Sequence, residues 1–462
     1  MASPVTTSRP EPLAPRWVRG LLAFAVAAPL LAMGLVLARD GWRSDIHGAF
    51  INHVLFATDR GQLQLLGFEY PPLPFLLLLP SATDTWAMLL GALAVFGLAW
   101  LVLSDCTTRR SMLPFVLLVG MLWTPIGISL VASDFNEAVG LFALYLGWRH
   151  YRRWWETRRT IHGLMTGLWL GLAFYTSPLG LALALIAGVV LPLVFPRLQI
   201  PPFASQLVLL AFPGVAATAT WAYLSWVFTH RVAFPFTPWE PASPGFLTIL
   251  IWTIPYLLVV LLALLRPRAT TAGVVLPFVL LVAANRAGWH FSLAFATGLL
   301  TLVAIIALPM DLDRWRRSAV VGAVMVQAAL AWWLVDWPRT TRDDLAARAV
   351  AEALSTTPAR SILIDERWAT RLFKWAPSMA PYLTTRDAGF EIALSDPGAK
   401  VRYVLVTPDD EGLSLDADIR PPVGFVIDWS WGDYTLYRRP DAPRINVRYD
   451  AVLSSASAGA TR

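Results

Sequence analysis

The sequence predicts an all-α polytopic membrane bundle of about eleven transmembrane helices, followed by a small C-terminal α/β domain. Three observations predict this fold class. Of 462 residues, 56% are hydrophobic and only 15% are charged, whereas a soluble domain needs about a quarter of its residues charged. The apolar residues form runs of about 17 to 22, long enough to cross a bilayer as helices. The charged residues crowd into the breaks between those runs and into the last quarter of the chain.

The apolar runs define a membrane domain over residues 20–336, preceded by a polar tail over 1–19. The first run is interpreted as a retained helix, because no small-residue cleavage site precedes Arg39. The predicted helices lie near 20–38, 83–104, 112–132, 136–148, 161–175, 178–196, 205–227, 246–265, 271–284, 291–309 and 318–335. Most loops between them are short, but the first external loop, 39–82, is long, and long loops on membrane scaffolds are usually functional.

Arginines in the breaks predict the orientation, because cytoplasmic loops collect basic residues. With the N-terminus inside, sixteen arginines fall in cytoplasmic segments and five in the opposite loops. The sixteen are Arg9, Arg16, Arg19, Arg109, Arg110, Arg149, Arg152, Arg153, Arg158, Arg159, Arg197, Arg266, Arg268, Arg314, Arg316 and Arg317; the five are Arg39, Arg43, Arg60, Arg231 and Arg286. The N-terminus is therefore predicted to be cytoplasmic and the C-terminal domain extracytoplasmic, in the plasma (inner) membrane.

The long apolar runs end before Trp337, and residues 337–462 are predicted to form the C-terminal α/β domain. Apolar residues at helical spacing predict a helix from Asp343 to Leu354. Short apolar runs predict strands near 361–364, 401–406, 425–428 and 434–437. Alternation of helices with strands is typical of an α/β domain.

The first external loop begins with a predicted amphipathic helix. From Asp45 onward, a mainly apolar stripe recurs at helical spacing as Ile46, Ala49, Phe50, His53, Val54 and Ala57. Ser44 can cap this helix, and Asp45 then lies in its first turn, where the helix dipole favours an ionised carboxylate. Spacing alone leaves Asp45 open to two interpretations, a stabilising first-turn acid or a functional acid.

The same loop closes with Glu69-Tyr70-Pro71-Pro72-Leu73. Two consecutive prolines predict an extended turn at the membrane surface rather than a regular helix entry. The apolar segment after Pro72 is broken at Pro80, so the helix there is expected to be short or re-entrant. Taken alone, this motif is a stiff connector.

In combination, these features resemble the GT-C superfamily of integral-membrane glycosyltransferases that use polyprenyl-phosphate-linked sugars. Members share an Asp just past the first helix, an amphipathic loop helix and a Tyr-Pro-Pro-Leu stretch. The sequence from Glu69 to Leu73 looks most like that of the bacterial polyprenyl-phosphomannose-dependent mannosyltransferases. The family often places a second acid at the outer end of the third helix, which Asp134 matches in Ala132-Ser-Asp-Phe-Asn-Glu137. The motifs cover roughly residues 20–160.

The resemblance implies transfer of mannose, or another hexose or pentose, to an envelope glycan, lipid or protein at the outer face, with inversion. Asp45 would be the general base and Asp134 would orient the acceptor or the base. Phosphate leaves as an anion, so a nearby cation would stabilise it. Arg286 is the candidate phosphate contact, with His290 and Arg231 as alternates. Further candidate substrate contacts are Glu69, Tyr70 and His53.

One departure from the family concerns a metal ion. Many relatives carry two adjacent acids in the first loop, whereas Asp45 is followed by Ile46. A divalent ion such as Mg²⁺ or Mn²⁺ is therefore left open rather than implied. Asp59, farther along the loop, is expected to tolerate replacement by Asn and to serve as a control.

Two other function classes compete with the enzyme. A secondary transporter would place ionisable groups near the bilayer midplane, whereas the acids here gather at the outer ends of the apolar runs. A non-catalytic scaffold or sensor would bind a ligand through its external domain. Nucleic acid is not expected as a partner despite the net charge of +6, because topology explains the excess of arginine. The one cysteine, Cys106, excludes an intramolecular disulfide.

Overall fold

The computed structural model describes residues 15–62, 71–109, 111–157, 159–177, 179–180, 182–183, 203–229, 246–264, 269–286, 291–307, 314–335, 337, 339–365, 369–406, 422–431 and 434–447. The chain divides into two compact units. Unit 1 comprises Met1–Val36, Phe68–Pro74 and Thr85–Trp337. Unit 2 comprises Leu37–Gly67, Phe75–Asp84 and Pro338–Arg462. The N-terminal half of the first external loop therefore belongs to the same unit as the C-terminal segment.

Helices dominate the chain up to Trp337. In the described residues they are α1 (Arg16–Arg39), α2 (Asp45–Asp59), α3 (Pro72–Leu78), α4 (Asp84–Arg109), α5 (Leu113–Leu122), α6 (Pro125–Ala132), α7 (Phe135–Thr157), α8 (Thr160–Phe174), α9 (Phe203–Thr229), α10 (Phe246–Leu264), α11 (Ala269–Arg286), α12 (Leu293–Ala307) and α13 (Arg314–Leu334). Most ends lie within a few residues of the predicted ones. The predicted helix over 178–196 lies almost entirely outside the described residues.

Three helices among the described residues are long and apolar enough to cross a bilayer: Arg16–Arg39, Asp84–Cys106 and Leu207–Val227. The pair α5 and α6 adds a fourth span if both count as one. Shorter apolar helices lie at Thr160–Phe174, Ile251–Leu261, Pro277–Arg286 and Leu293–Ile306. The chain is a multi-pass membrane protein, and the count of about eleven spans stays a prediction.

The helix predicted over 112–132 is broken into α5 and α6, which meet at an angle of 72°. Thr124 lies at the break, where Pro125 disfavours helical backbone in the residue before it. The Thr124 hydroxyl accepts a hydrogen bond from the Ile126 amide and so caps α6. Gly127 is required here, because a Cβ at this position would lie 1.8 Å from the Leu122 carbonyl oxygen.

The proline motif begins a helix rather than an extended turn. Pro72 is the first residue of α3, a position that suits proline because the first amide of a helix needs no partner. The helix ends at Leu78, so the short helix expected before Pro80 is confirmed. The Leu73 amide donates to the Tyr175 carbonyl at 3.1 Å, which fixes the start of α3 within unit 1.

The C-terminal segment of unit 2 alternates helices and strands: α14 (Arg342–Leu354), β1 (Ile362–Leu363), α15 (Thr370–Phe373), β2 (Tyr382–Leu383), α16 (Phe390–Ser395), α17 (Pro397–Lys400), β3 (Tyr403–Val406), β4 (Val426–Trp431) and β5 (Tyr434–Arg438). The strands form one sheet in the order β2-β1-β3-β5-β4. Strand β1 pairs in parallel with β2 and β3, whereas β5 pairs antiparallel with β3 and β4. The four predicted strands are confirmed, and β2 was missed.

Alternate residues of the strands enter two apolar clusters, as the two-residue period of a strand requires. Ile362, Tyr403 and Leu405 belong to one cluster, and Leu363 and Val404 belong to the other. The first cluster also contains Phe56 of α2. The core of unit 2 is therefore built from both the first loop and the C-terminal segment.

Candidate active site

Helix α2 presents the candidate catalytic acid at its N-terminus, as the sequence predicted. The Ser44 side chain accepts a hydrogen bond from the Ile46 amide at 3.2 Å, the contact that satisfies an otherwise unpaired helical donor. Phe50, Val54 and Ala57 are buried. Asp45 is the first residue of the helix, and its side chain is 78% exposed. Capping and burial of the apolar stripe thus place a carboxylate at the surface of unit 2.

The exposed carboxylate is held by a lysine from the C-terminal segment. The Lys374 ammonium lies 2.7 Å from Oδ1 of Asp45 and 3.2 Å from Oδ1 of Asp344. The side chains of Lys374 and Asp344 are only 7% and 12% exposed. A buried ammonium needs such partners, because a buried charge without compensation is strongly unfavourable. Asp45 is therefore the exposed member of a three-residue charge cluster.

Asp344 belongs to the cap of α14. Its side chain accepts hydrogen bonds from the Thr341 amide and hydroxyl, while Thr341 accepts from the Asp344 amide, which completes a capping box. Burial alone would raise the pKa of the Asp344 carboxyl. The Thr341 hydrogen bonds and the Lys374 ammonium outweigh burial, so the pKa is lowered. Asp344 is a fixed anion behind the lysine.

The backbone of Lys374 is also held tightly. Its carbonyl oxygen accepts a hydrogen bond from Arg43, whose Nε donates to Asp84 at 2.6 Å. The Arg43 guanidinium lies over the Trp375 ring at 5.2 Å, a favourable cation–π arrangement. A Cβ at Gly48 would lie 3.0 Å from the Lys374 Cα. Glycine at position 48 thus allows α2 to approach the lysine closely.

The far end of α2 places Asp59, the acid expected to serve as a control, in contact with the C-terminal segment. Asp59 accepts hydrogen bonds from the Ser378 hydroxyl at 2.8 Å and the Met379 amide at 2.7 Å. Asp59 is therefore a structural contact rather than a free loop acid, and its tolerance of Asn stays a prediction. Arg60 next to it forms two hydrogen bonds with the Asp387 carboxylate, at 3.0 and 3.1 Å.

Two histidines of α2 face inward. The Nδ1 atom of His53 lies 2.9 Å from the Ala49 carbonyl oxygen, and its ring packs against Phe75 with centroids 5.4 Å apart. One ring nitrogen of His53, a candidate substrate contact, is thus within hydrogen-bonding distance of its own helix. His47 is completely buried. Burial, and then the Arg43 charge, lower the pKa of His47 to about 3, so it is neutral at physiological pH.

Asp134, the second candidate acid, lies in unit 1 directly before α7. It is buried and accompanied by Glu137, a buried carboxylate three residues later. Glu137 accepts hydrogen bonds from both the amide, at 2.7 Å, and the hydroxyl of Ser292. Ser292 precedes α12 and accepts from the Phe295 amide at 3.0 Å. The N-terminus of α12 thus stabilises the Glu137 carboxylate, and the site in unit 1 is a pair of acids rather than one.

The remaining candidates differ in how far the structure places them. Arg286 is the exposed last residue of α11, six positions before Ser292. The candidates that fall outside the described residues are Glu69, Tyr70, Arg231 and His290.

The described residues do not form a divalent-metal site. No group of three or more His, Cys, Asp or Glu side chains among them could hold a metal ion together. Mg²⁺ and Mn²⁺ prefer clusters of oxygen ligands, whereas the partner of Asp45 is an ammonium. The geometry around Asp45 therefore fits a protein-supplied cation better than a divalent ion.

Three site residues were missed by sequence reasoning: Lys374, Glu137 and Ser292. Glu137 carried a usable signal, because Asp134 and Glu137 have the i, i+3 spacing of residues that cap a helix start. Lys374 carried a weaker one, since it is one of only two lysines in the chain. Ser292 had none, because its role depends on the packing of α12 against α7.

Comparison with known proteins yields a structural likeness. No protein-family model matches the chain, and no curated protein matches it in sequence. The crystal structure of ArnT from Cupriavidus metallidurans bound to undecaprenyl phosphate has a TM-score of 0.60 at 15% identity, over 91% of this chain and 97% of that chain. The apo oligosaccharyltransferase of Archaeoglobus fulgidus has a TM-score of 0.45 at 13% identity, over 85% of this chain and 69% of that chain.

The ArnT likeness spans almost the whole of both chains and concerns the fold. In this chain the fold contains an acid after the first helix, an amphipathic loop helix and a proline-rich return to the apolar helices. The chain therefore shares the fold of this ArnT structure.

Proposed function

We propose that this protein is a membrane glycosyltransferase that moves a sugar from a polyprenyl-phosphate donor to an envelope glycan, lipid or protein. The observation that carries the proposal is the fold shared with a protein crystallised with undecaprenyl phosphate, combined with an exposed carboxylate just after the first helix. The sugar is proposed to be mannose or another hexose or pentose, in keeping with the Glu69–Leu73 motif.

In the proposed reaction, Asp45 is the general base. Its exposed carboxylate takes the proton of the acceptor hydroxyl while the acceptor oxygen attacks the anomeric carbon. A bond forms from that oxygen to the carbon, and the bond from the carbon to the phosphate oxygen breaks. Attack opposite the leaving phosphate inverts the anomeric configuration. The lipid phosphate departs as an anion that carries the bonding electron pair.

Arg286 is proposed to contact that departing phosphate. It is exposed at the end of α11, and a guanidinium binds phosphate through paired hydrogen bonds. Asp134 is proposed to help orient the acceptor or the base. His53, His290, Arg231, Glu69 and Tyr70 remain candidates for further substrate contacts.

The proposed side of action is the outer face of the plasma (inner) membrane. The arginine distribution supports it, because it predicts a cytoplasmic N-terminus. The α2 segment and the C-terminal segment would then both be extracytoplasmic. Lipid-linked donors and envelope acceptors meet the enzyme there, and no nucleic acid is involved.

The buried acids in unit 1 favour a second candidate, a secondary transporter. Asp134 and Glu137 are both buried near the ends of apolar helices, and buried acids in membrane proteins often form proton relays. Transport would be measured as solute uptake into vesicles that contain the purified protein. Glycosyl transfer in detergent without a gradient would favour the enzyme over the transporter.

The proposal is tested by replacing Asp45 with Asn in purified protein supplied with synthetic polyprenyl-phosphate sugars. An amide cannot accept the proton, so the contribution of a general base, about 10²–10⁴ in rate, should be lost. The helix should persist, because Asn is tolerated near a helix start. Asp45→Glu keeps the charge but displaces it, so it should also lose much of the rate.

The matched control is Asp40→Asn, since Asp40 is an exposed acid five positions earlier in the same unit. It should transfer sugar at the parental rate. Thermal unfolding is measured for each variant in parallel. If Asp45→Asn is folded and transfers at the parental rate, the assignment of Asp45 as the base is wrong.

A further inference from the structure

Lysine is rare in this protein, and one lysine is buried beside the proposed base. Of 37 basic residues, only Lys374 and Lys400 are lysines. Lys400 is exposed at the end of α17, as lysines in proteins usually are. Lys374 follows α15 and is nearly inaccessible to solvent. A compact ammonium concentrates its charge at one point, whereas a guanidinium spreads it over a planar fork.

The charges around Lys374 are arranged asymmetrically. Asp344 is held by the α14 cap and faces the ammonium from the buried side. Asp45 approaches from the exposed side, with Oδ1 at 2.7 Å. The ammonium therefore receives fixed compensation from Asp344. Its attraction for Asp45 acts at one carboxylate oxygen and leaves the rest of the carboxyl group accessible.

The position of the ammonium is fixed by its surroundings. Arg43 binds the Lys374 carbonyl oxygen, and Gly48 lets α2 pack directly on the lysine backbone and stem. The ammonium also lies 5.5 Å from the Trp375 ring centroid. A side chain restrained at its backbone, stem and charged end has few alternative rotamers. This restraint is what a catalytic group needs from the residues that support it.

We propose that Lys374, backed by Asp344, is the positioning residue that orients the Asp45 carboxylate for proton transfer from the acceptor. This inference rests on the proposed function, since it assigns Lys374 a role in the same reaction. Lys374 acts through Asp45. The competing explanation is that the ion pair only docks α2 onto the C-terminal segment.

Kinetics separate positioning from docking. Lys374→Met keeps the stem that packs at Gly48 but removes the charge. As a positioning residue, its loss should lower kcat per folded molecule by about a hundredfold, because small misplacements of catalytic groups have large effects. KM for the lipid-linked donor should stay near the parental value. Lys374→Arg restores the charge in a less compact form and should recover part of kcat.

The matched control is Lys400→Met, which removes the other lysine from an exposed position. It should leave kcat, KM and thermal stability unchanged. A docking role would instead give Lys374→Met a lowered thermal midpoint with parental kcat per folded molecule, and that result would overturn the inference.

A spectroscopic measurement tests the contact without relying on activity. With only two lysines, full-length protein labelled with ¹³C at the lysine ε-methylene should give two main NMR signals. Lys400→Arg assigns the remaining signal to Lys374. Asp45→Asn and Asp344→Asn should each shift the Lys374 signal, whereas Asp396→Asn should not. An unchanged Lys374 signal in Asp45→Asn would show that the ion pair is absent in solution and would contradict the inference.

The two proposals can fail separately. If Asp45→Asn abolishes transfer but Lys374→Met is parental, the glycosyltransferase stands and the positioning role is overturned. The Asp45→Asn variant could be fully active and still show a shifted Lys374 NMR signal. The ion pair would then exist in solution, but neither residue would take part in the reaction. Loss of kcat in both variants, with rescue by Lys374→Arg, supports the inference.

Discussion

Two ionisable residues of α2 lie two positions apart in opposite environments. Asp45 is 78% exposed, whereas His47 is completely buried. Two residues correspond to about 200° around a helix, so one side chain faces water when the other faces the core. The carboxylate can remain charged and reach a substrate. The imidazole must stay neutral, because burial and the Arg43 charge both oppose its protonation.

This difference makes stability depend on pH through His47. The pKa of His47 is about 3 in the folded protein, against 6.5 for an ordinary histidine. Between these values the unfolded chain binds more protons, so the free energy of unfolding falls as pH drops below 6.5. At neutral pH His47 is largely neutral in both states, so its depressed folded pKa costs stability only as the pH falls below about 6.5. The expected loss between pH 7 and pH 5 is about 2 kcal/mol.

The measurement is the thermal midpoint of detergent-solubilised protein at several pH values. His47→Met places an apolar side chain of similar length in the buried position and removes the titratable imidazole. Its midpoint should vary less between pH 7 and pH 5 than that of the parent. Equal pH dependence in the two proteins would mean that His47 is not the responsible group.

At the scale of elements, α2 is anchored at both ends to the C-terminal segment. Asp45 pairs with Lys374 at its start, and Asp59 and Arg60 bind residues of the 378–387 segment at its end. Phe56 enters the apolar cluster between them. Two polar anchors and an apolar contact fix both the position and the rotation of the helix. The orientation of Asp45 is therefore a property of the whole element.

The strongest anchor should be Arg60. Its side chain and that of Asp387 are 3% and 6% exposed, and its guanidinium also donates to the Met379 and Tyr382 carbonyls. Arg60→Gln would leave the buried Asp387 charge with only the exposed Arg360 at 3.9 Å, which costs up to about 3–5 kcal/mol. We expect a clear fall in the thermal midpoint, and partial proteolysis should reach the C-terminal segment sooner.

Arg152→Gln serves as the control for that experiment. Arg152 pairs with Glu156 at 2.8 Å, but the two side chains are 35% and 53% exposed. Exposed pairs of this kind contribute less than about 1 kcal/mol. A stability loss from Arg60→Gln no larger than that from Arg152→Gln would contradict the anchoring role.

At the scale of the whole molecule, unit 2 constrains the membrane topology, because it is built from two segments that are far apart in sequence. Residues Leu37–Gly67 and Pro338–Arg462 pack into one compact unit with a shared core. A shared core requires both segments to be on the same side of the membrane. The chain must therefore cross an even number of times between them. This agrees with an odd total number of spans, whereas the side on which unit 2 lies rests on the arginine distribution.

Reporter fusions test that topology. A periplasm-active reporter fused after Arg339 should be active, whereas one fused after Arg153 should be silent, because arginines mark the cytoplasmic side. A reporter within the loop, after Asp40, should match the Arg339 fusion. The opposite pattern would place Asp45 on the cytoplasmic side and remove the proposed access to envelope acceptors.

The sequence by itself determined the features that depend on neighbouring residues. Run length located most helices, since crossing a bilayer requires consecutive apolar residues. The Ser44 cap and the α2 stripe followed from helical spacing, and they placed Asp45 at a helix start. The order of these local motifs also pointed to the GT-C fold. Predictions erred where context overrides local preference, as at the α5–α6 bend and at Pro72.

Only the tertiary structure decided which distant residues complete the site. Lys374 follows Asp45 by 329 positions, and Ser292 follows Glu137 by 155. No periodicity links residues so far apart, because their contact depends on how separately formed elements pack. The role of Asp59 shows the same limit, since an isolated loop acid proved to be an anchor for two donors. Local spacing fixes where a side chain sits on its helix, whereas packing fixes what it meets.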